Sequence, residues 1–394
     1  MSFLPPLRLV GATALIDGTM RRTPVGLSGG RIVEGSDPRL AEIDLTGLMI
    51  LPGIVDPHST AITRHLQTRA GGGDVPLEQA LAAMDAEAVA HGVTTQWIAQ
   101  GWSWAGGRLG PDQAEAMARA LDTHRGRADL RLQIIAETHL ADCRNRLTGL
   151  VERHGIDSVI FSNAVPDAIL AATAAQEKLA AWAEAHDIAL DDYLHRLRLA
   201  KDRAGEVPRR LLALAKAFDA MRLRYGSYDD ADGETREQFR ILGARIALCP
   251  VRAGAARVAF ANGNPIVLDA SDLTRSATRP GAVSSQALLS KGLCDALASH
   301  DHPASLANAA LALAESGQKS LAEAWALISS APARVMGLTD RGTLDVGNRA
   351  DLVIFDPRSC RIEVTITQGR IAHLSGSTAL RFLNAAPHLA LAAE

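Results

Sequence analysis

The stretch at residues 49–60 constrains the fold of this chain more than any other. It is an apolar run rich in leucine, isoleucine and valine, interrupted by a Pro-Gly pair and closed by Asp56-Pro57-His58. Such a run predicts a buried strand that follows a turn and ends at a polar site. If this strand is the first of a barrel, His58 lies at its carboxyl end, where barrels keep their active sites.

Both ends of the chain show short apolar segments separated by glycine-containing turns. At the amino end these segments lie within residues 7–33, and at the carboxyl end a matching pattern lies within residues 342–371. Regular spacing of this kind predicts small antiparallel sheets. We therefore expect one small β domain built from residues 1–53 and 339–394, with residues 54–338 inserted as a separate unit.

The inserted unit alternates between helical and strand-like segments, as a βα barrel requires. Helices are expected at residues 76–91, 112–121, 145–154 and 321–330, with two or three more between residues 168 and 221. Strands are expected at residues 92–99, 130–137, 158–162, 245–249, 265–268 and 295–300. Abundant alanine and leucine with only 4% aromatic residues favour helices packed on a sheet. The predicted fold class is α/β, a distorted (β/α)8 TIM barrel with a small β-sandwich domain formed by both termini.

Charge and cysteine content exclude several classes of protein. A net charge of −3 with interspersed signs gives no reason to expect nucleic acid or an anionic membrane as partner. The four cysteines have no C-x-x-C spacing, which argues against a zinc knuckle and a disulfide framework. Without a recognisable signal peptide or an apolar run of membrane-spanning length, we expect a protein of the reducing cytoplasm.

Several motifs together carry a resemblance to a known family. They are the strand motif at residues 51–58, the Pro-Ala-Arg to Gly-Thr-Leu return at residues 332–344, and Gly-Asn-Arg-Ala-Asp-Leu-Val at residues 347–353. Together with the small β domain built from both ends of the chain, these motifs resemble the amidohydrolase superfamily. Within it, residues 58–65, 228–231 and 298–306 look most like the diphosphatase family of the phosphonate-degrading carbon–phosphorus lyase pathway. This resemblance implies a metal-assisted hydrolysis that releases diphosphate from a ribose triphosphate.

The resemblance also implies which residues hold the metal, although several positions differ from the family pattern. His58 and Glu137 match metal ligands, and His300 is a tentative third ligand. In the family, a carboxylate at the end of the last barrel strand is the general base, and this chain has His300 at that position with Asp301 beside it. We therefore expect His300 and Asp301 to be catalytic. Five positions at which the family has a histidine or a carboxylate carry weaker or no ligands here, namely Thr60, Gln133, Ala164, Tyr228 and Arg279. The expected cofactor is therefore a weakly held zinc, manganese or iron ion, or no metal.

Basic residues after the first strand and in a later loop suggest how a substrate binds. Arg64, Arg69 and Arg279 are expected to hold the phosphates of a small phosphorylated substrate. His302 shares a face with His300 if that segment is extended. The pair Asp229-Asp230 is expected to be solvated loop.

Three functions remain open at this point. The first is a phosphonate-pathway hydrolase that releases diphosphate, with an altered or weakened metal site. The second is a non-catalytic paralogue that acts by binding or assembly, and the third is a metal-dependent amidohydrolase that cleaves carbon–nitrogen bonds. Since barrels of this kind often pair, a homodimer is expected.

Overall fold

The structure is a computed structural model that describes residues 3–66, 75–140, 144–274 and 281–385. Arg69 and Arg279, predicted to bind phosphate, lie outside the described residues. The strands are β1 (Leu7–Val10), β2 (Thr13–Ile16), β3 (Thr19–Arg21), β4 (Val25–Ser28), β5 (Arg31–Glu34), β6 (Ala41–Asp44), β7 (Met49–Pro52), β8 (Ile54–Ser59), β9 (Val93–Trp102), β10 (Asp129–Glu137), β11 (Ser158–Ser162), β12 (Arg224–Tyr228), β13 (Ile246–Leu248), β14 (Ile266–Asp269), β15 (Ala296–Ala298), β16 (Leu352–Asp356), β17 (Arg361–Thr367) and β18 (Arg370–Leu374).

Most of the α-helices surround the barrel or follow its strands, and the last one packs against β6 and β17 of the terminal sheets. They are α1 (Ile62–Leu66), α2 (Leu77–Ala90), α3 (Pro111–Thr123), α4 (Arg144–His154), α5 (Val165–Ala174), α6 (Gln176–Ala185), α7 (Leu190–Asp202), α8 (Val207–Ala220), α9 (Gly233–Ile241), α10 (Ala253–Ala261), α11 (Ser271–Thr274), α12 (Ser285–Leu289), α13 (Ala304–Glu315), α14 (Leu321–Ala326), α15 (Ser330–Val335) and α16 (Thr378–Ala385). None of the helices in the described ranges combines the length and apolar character needed to cross a lipid bilayer.

Eight parallel strands form a nearly closed barrel. Strands β8 to β15 pair in chain order, and a parallel bridge between Ser59 and His300 joins the last strand to the first. Apolar side chains such as Val55, Trp97 and Leu248 are buried together in one cluster. The predicted fold class is confirmed, and the carboxyl ends of all eight strands point to one mouth.

The two ends of the chain build the remaining sheets together. One sheet has the order β5-β4-β1-β6, and the other has the order β18-β17-β16-β7-β2-β3, in which β7 pairs antiparallel with β16. Gly53 separates β7 from β8, and a Cβ there would lie 2.5 Å from the Thr94 hydroxyl oxygen. The chain therefore passes from the terminal sheet into the barrel where only glycine fits. The residue boundaries given above for the two units stay a prediction.

Strand β12 was not predicted from the sequence, and one predicted helix is two separate helices in the structure. Strand β12 reads Arg-Tyr-Gly-Ser-Tyr, which lacks the apolar run that marks the other barrel strands. The helix expected at residues 321–330 is in fact two short helices, α14 and α15. Helices α5, α6 and α7 lie between β11 and β12. They pack together around an apolar cluster that also includes Ala105 from the loop after β9.

Candidate functional site

His58 lies buried at the end of β8 and has a defined tautomer. Its Nδ1 is 2.6 Å from Oε1 of Gln133, whose amide nitrogen donates to the Pro57 carbonyl at 3.2 Å and to the Ser158 hydroxyl at 3.0 Å. Because that nitrogen has two acceptors, Oε1 must be the atom that faces His58, and His58 Nδ1 must carry the proton. Burial, with a smaller effect of His300, lowers the pKa of His58 to about 3. The imidazole is therefore neutral and keeps a lone pair on Nε2.

His300 follows β15, the last strand of the barrel, and its ring packs against the ring of His58 in β8, the first strand. The two ring centroids are 4.8 Å apart at an interplanar angle of 66°, and the ring of Tyr228 stacks on His58 at 5.6 Å and 27°. Nε2 of His300 lies 3.1 Å from Sγ of Cys249, which directly follows β13. Cys249 was not predicted as a site residue, although it ends a predicted strand, and barrel sites form at strand ends.

A cavity of about 340 Å³ opens beside this group. Its walls include His300, Cys249 and Tyr228, together with three carboxylates from Asp229, Asp269 and Asp272. Burial raises the pKa of Asp269, which accepts hydrogen bonds from the Ser271 backbone N–H at 2.7 Å and hydroxyl at 2.8 Å. The described lining contains neither lysine nor arginine. The charged side chains among the described lining residues are therefore acidic.

Glu137 belongs to a different part of the mouth. It ends β10 and accepts the Ala164 backbone N–H at 3.0 Å, while burial raises the pKa of its carboxyl to about 7. It lines a cavity of about 650 Å³ with Arg209 and Arg210, and neither His58 nor His300 is among the described lining residues of that cavity. The structure thus brings His58 and His300 together and places Glu137 beside another cavity.

The described residues do not fit a resident metal ion. Within residues 3–66, 75–140, 144–274 and 281–385, no group of three or more histidine, cysteine, aspartate or glutamate side chains could hold one. Two ligands of ordinary geometry leave a divalent ion mostly coordinated by water and weakly held. The ligand roles given to His58, Glu137 and His300 stay predictions.

Arg64 is already engaged by protein groups. Its Nη2 donates to both carboxylate oxygens of Glu87 at 3.0 Å, and its Nε donates to the Asp301 carbonyl at 2.7 Å. The neighbouring His65 also contacts Glu87, at 2.7 Å. A phosphate would have to compete with Glu87 for this guanidinium.

The segment after β15 turns and is not extended. His300 has a φ of +53°, and His302 contacts the Asp301 carboxylate at 3.3 Å with both side chains partly exposed. The extended geometry that would place His300 and His302 on one face is therefore absent. Only His300 of this segment is among the described residues that line the 340 Å³ cavity.

Asp230 is buried in the structure, contrary to the prediction. The pair Asp229-Asp230 was expected to be solvated loop, yet Asp230 is buried and accepts from the Ser227 hydroxyl at 2.7 Å and from Arg236 at 3.4 Å. Burial raises the pKa of Asp230, against the opposing effect of Arg236. Asp230 therefore has a structural role, and Asp229 is the residue of the pair that faces the cavity.

Comparisons with known proteins agree with the motifs. A model described as "Amidohydrolase family" matches residues 213–373. The chain is 29% identical over 342 residues to the alpha-D-ribose 1-methylphosphonate 5-triphosphate diphosphatase of Escherichia coli (strain K12), covering 84% of this chain and 89% of that protein.

Solved structures share the fold. One is a beta-aspartyl dipeptidase from Fervidobacterium islandicum AW-1, with a TM-score of 0.63, 15% identity and coverage of 94% of this chain and 97% of that one. Another is a D-hydantoinase, with a TM-score of 0.62, 13% identity and coverage of 95% and 97%. At such identities the likeness concerns the fold alone. The chain is therefore similar to the amidohydrolase family over residues 213–373 and to a phosphonate-pathway diphosphatase over most of its length, and it shares the fold of solved hydrolases.

Proposed function

We propose that this protein is a hydrolase that releases diphosphate from a ribose methylphosphonate triphosphate or a related phosphorylated small molecule. The observation that carries the proposal is the 29% identity to the Escherichia coli diphosphatase, because it spans 84% of this chain and 89% of that one. A similarity of that extent takes in most of the barrel, the part of the chain in which barrel enzymes keep their chemistry.

The charges of the mouth suggest the form in which such a substrate binds. A triphosphate that arrives as its magnesium complex suits walls formed by Asp229, Asp269 and Asp272 better than the bare anion does. In this proposal His300 contacts the substrate from within the cavity, and His58 fixes the His300 ring. Arg64, Arg69 and Arg279 remain the candidates for phosphate contacts.

The test combines product analysis with elemental analysis of the purified protein. With the triphosphate substrate and Mg²⁺, we expect release of diphosphate, and we expect His300→Gln to lower its rate by about 100-fold. Arg358→Gln, a surface change in the turn after β16, is the matched control and should leave the rate unchanged. Absence of diphosphate release with magnesium, manganese and zinc alike would refute the proposal. Near-stoichiometric zinc, manganese or iron that is lost in His58→Ala would show a resident metal.

The second candidate is a non-catalytic paralogue that binds a related ligand. Two observations favour it, since the described residues contain no three-ligand group and the Arg64 guanidinium is paired with Glu87. Calorimetric titration with the same triphosphate separates the two candidates. Binding without release of any product would support the paralogue.

A further inference from the structure

We propose that a cavity of about 290 Å³ at the amino-terminal face of the barrel binds a small organic amine, whose ammonium group contacts Asp122 and His154. The cavity lies between the carboxyl ends of α3 and α4 and the amino ends of β10 and β11. Strand β10 begins at Asp129 beside this cavity and ends at Glu137 in the mouth, a length of roughly 26 Å. This inference goes beyond the diphosphatase activity proposed above and does not rest on it.

Part of the cavity lining is apolar and suits a short hydrocarbon chain. It is formed by Ala118, Leu121, Leu130, Leu132 and Ile156. Contact with such surface removes a hydrocarbon chain from water, which is favourable in proportion to the area covered. The volume is close to the lower end of the range for small-molecule pockets, about 300 to 1,000 Å³. The cavity therefore has room for an organic ligand as well as for a bare ion.

Arg131, the only guanidinium in the described lining, is engaged by protein carboxylates. Its Nε and Nη2 donate to Asp129 at 3.3 Å and 3.0 Å, and its Nη1 donates to Asp157 at 2.6 Å. The guanidinium also packs on the ring of Trp97, 5.2 Å from the ring centroid. An anionic ligand would have to compete with two carboxylates for Arg131.

Two of the three carboxylates in the lining are compensated by further protein groups. Asp129 is also contacted by Arg341 at 2.6 Å and by Arg349 at 3.4 Å. Asp157 also accepts the indole N–H of Trp97 at 2.7 Å. Because these carboxylates already have donors, we assign the main attraction for a ligand to the third carboxylate.

That third carboxylate, Asp122, lies in the last turn of α3. Its Oδ2 is 2.7 Å from Nδ1 of His154, and among the described residues no arginine or lysine forms an ion pair with it. The Asp122 side chain is 53% exposed. Its Oδ1 accepts no hydrogen bond from the described part of the chain, so this oxygen is available to a ligand.

His154, the last residue of α4, offers a second acceptor. Since a carboxylate only accepts, Nδ1 carries the proton in the contact with Asp122, and Nε2 of the neutral imidazole keeps its lone pair. The side chain is only 8% exposed, and no hydrogen bond within the described ranges engages Nε2. Buried polar atoms generally have partners. Because His154 lines the cavity, an N–H group of a ligand can be that partner.

The ends of the two helices favour a positive charge at the same place. Leu121 and Asp122 of α3 and His154 of α4 line the cavity, so the final carbonyl groups of both helices lie beside it. The carboxyl end of a helix carries a partial negative charge.

The available groups together set the class of ligand. Oδ1 of Asp122 and Nε2 of His154 both accept hydrogen bonds, and a primary ammonium group has three donors and no acceptor. A carboxylate or phosphate would instead place its lone pairs against theirs. The ligand is therefore a primary amine, in its ammonium form, on a short apolar chain.

The experiment compares matched probes by saturation-transfer NMR titration of the full-length protein. The probes are pentylammonium, neutral 1-pentanol and anionic pentanoate, which share one hydrocarbon chain. We expect the Kd of pentylammonium to be about tenfold lower than that of 1-pentanol, because charge-assisted hydrogen bonds are stronger than neutral ones. We expect pentanoate to bind more weakly than either.

Three variants assign the binding to this cavity. Asp122→Asn should raise the Kd of pentylammonium about tenfold and remove its advantage over 1-pentanol. Leu121→Trp should fill the cavity and weaken both probes. Asp112→Asn, the same change at the other end of α3 on a side chain that is 93% exposed, is the matched control and should leave every Kd unchanged.

The contrary results are equally distinct. Pentylammonium that binds no tighter than 1-pentanol would overturn the inference. So would a pentylammonium Kd that Asp122→Asn leaves unchanged, or one that Asp112→Asn raises as much as Asp122→Asn does. Because Asp122 is partly exposed at a helix end, its variant keeps the inference testable if Leu121→Trp fails to fold. None of these results depends on diphosphate release.

Discussion

Burial controls the ionisation of single residues around this barrel mouth. Desolvation raises the pKa of Asp56 to about 6 and that of Glu137 to about 7, and it lowers the pKa of His58 to about 3. Asp56 accepts hydrogen bonds from the Ser299 hydroxyl at 2.6 Å and from the Gln96 amide at 2.9 Å, but these only partly offset its burial. In each case the low-dielectric surroundings favour the neutral form.

Glu137 allows a test of this effect through stability. Its pKa in the folded protein is about 7, above the ordinary value of 4.5. Between those two pH values the unfolded chain has lost this proton while the folded protein still holds it. The native protein therefore loses stability as the pH rises from about 4.5 to about 7. Gln at this position does not titrate. We therefore expect the stability of Glu137→Gln relative to the native protein to increase by about 2–3 kcal/mol between about pH 5 and about pH 8. Urea unfolding at both pH values measures the change, and a difference independent of pH would contradict the assignment.

Between elements, a buried ion pair fixes α9 to the barrel. Arg236 on α9 has 0% exposure, and its guanidinium contacts Asp230 after β12 and the Ile246 carbonyl in β13 at 3.2 Å. It also donates to the Ala244 carbonyl. One side chain thus joins the helix to two neighbouring strands, next to the mouth.

Arg236→Met is expected to destabilise the protein by about 3–5 kcal/mol, because it leaves the Asp230 carboxylate buried without its cation. Arg240→Met on the same helix is the matched control. Arg240 pairs with Glu237 at 2.7 Å near the surface, so its replacement should cost less than about 1 kcal/mol. Chemical denaturation of both variants measures the difference. Equal losses of unfolding free energy in the two variants would contradict a larger contribution from the buried pair.

At the scale of the whole molecule, Arg341 links the barrel to the terminal β sheets. Its side chain is 5% exposed and contacts Asp129 on β10 at 2.6 Å and the Thr95 hydroxyl on β9 at 2.9 Å. Arg349, just before β16, approaches the same Asp129 at 3.4 Å. Two arginines from the carboxyl-terminal part of the chain therefore meet a single barrel carboxylate.

We expect Arg341→Met to lower the free energy of unfolding by about 3 kcal/mol, since Asp129 and the Thr95 hydroxyl lose a buried donor. The matched control is Arg358→Met, in a turn of the same terminal unit. Arg358 is 77% exposed, and its change should stay within about 0.5 kcal/mol. Thermal unfolding followed by circular dichroism measures both, and an unchanged midpoint for Arg341→Met would refute the linking role.

The sequence by itself determined the barrel, the two-ended β sheets and the position of His58, because strand and turn signals are local in the chain. Strand β12 was missed since its Gly-Ser centre carries no apolar pattern. Only the tertiary structure decided which side chains meet. It brings Cys249 to His300 across 51 residues and pairs Arg64 with Glu87. It also separates Glu137 from His300 by placing them beside different cavities. Such contacts depend on strand order and backbone turns at the mouth, which no local pattern encodes.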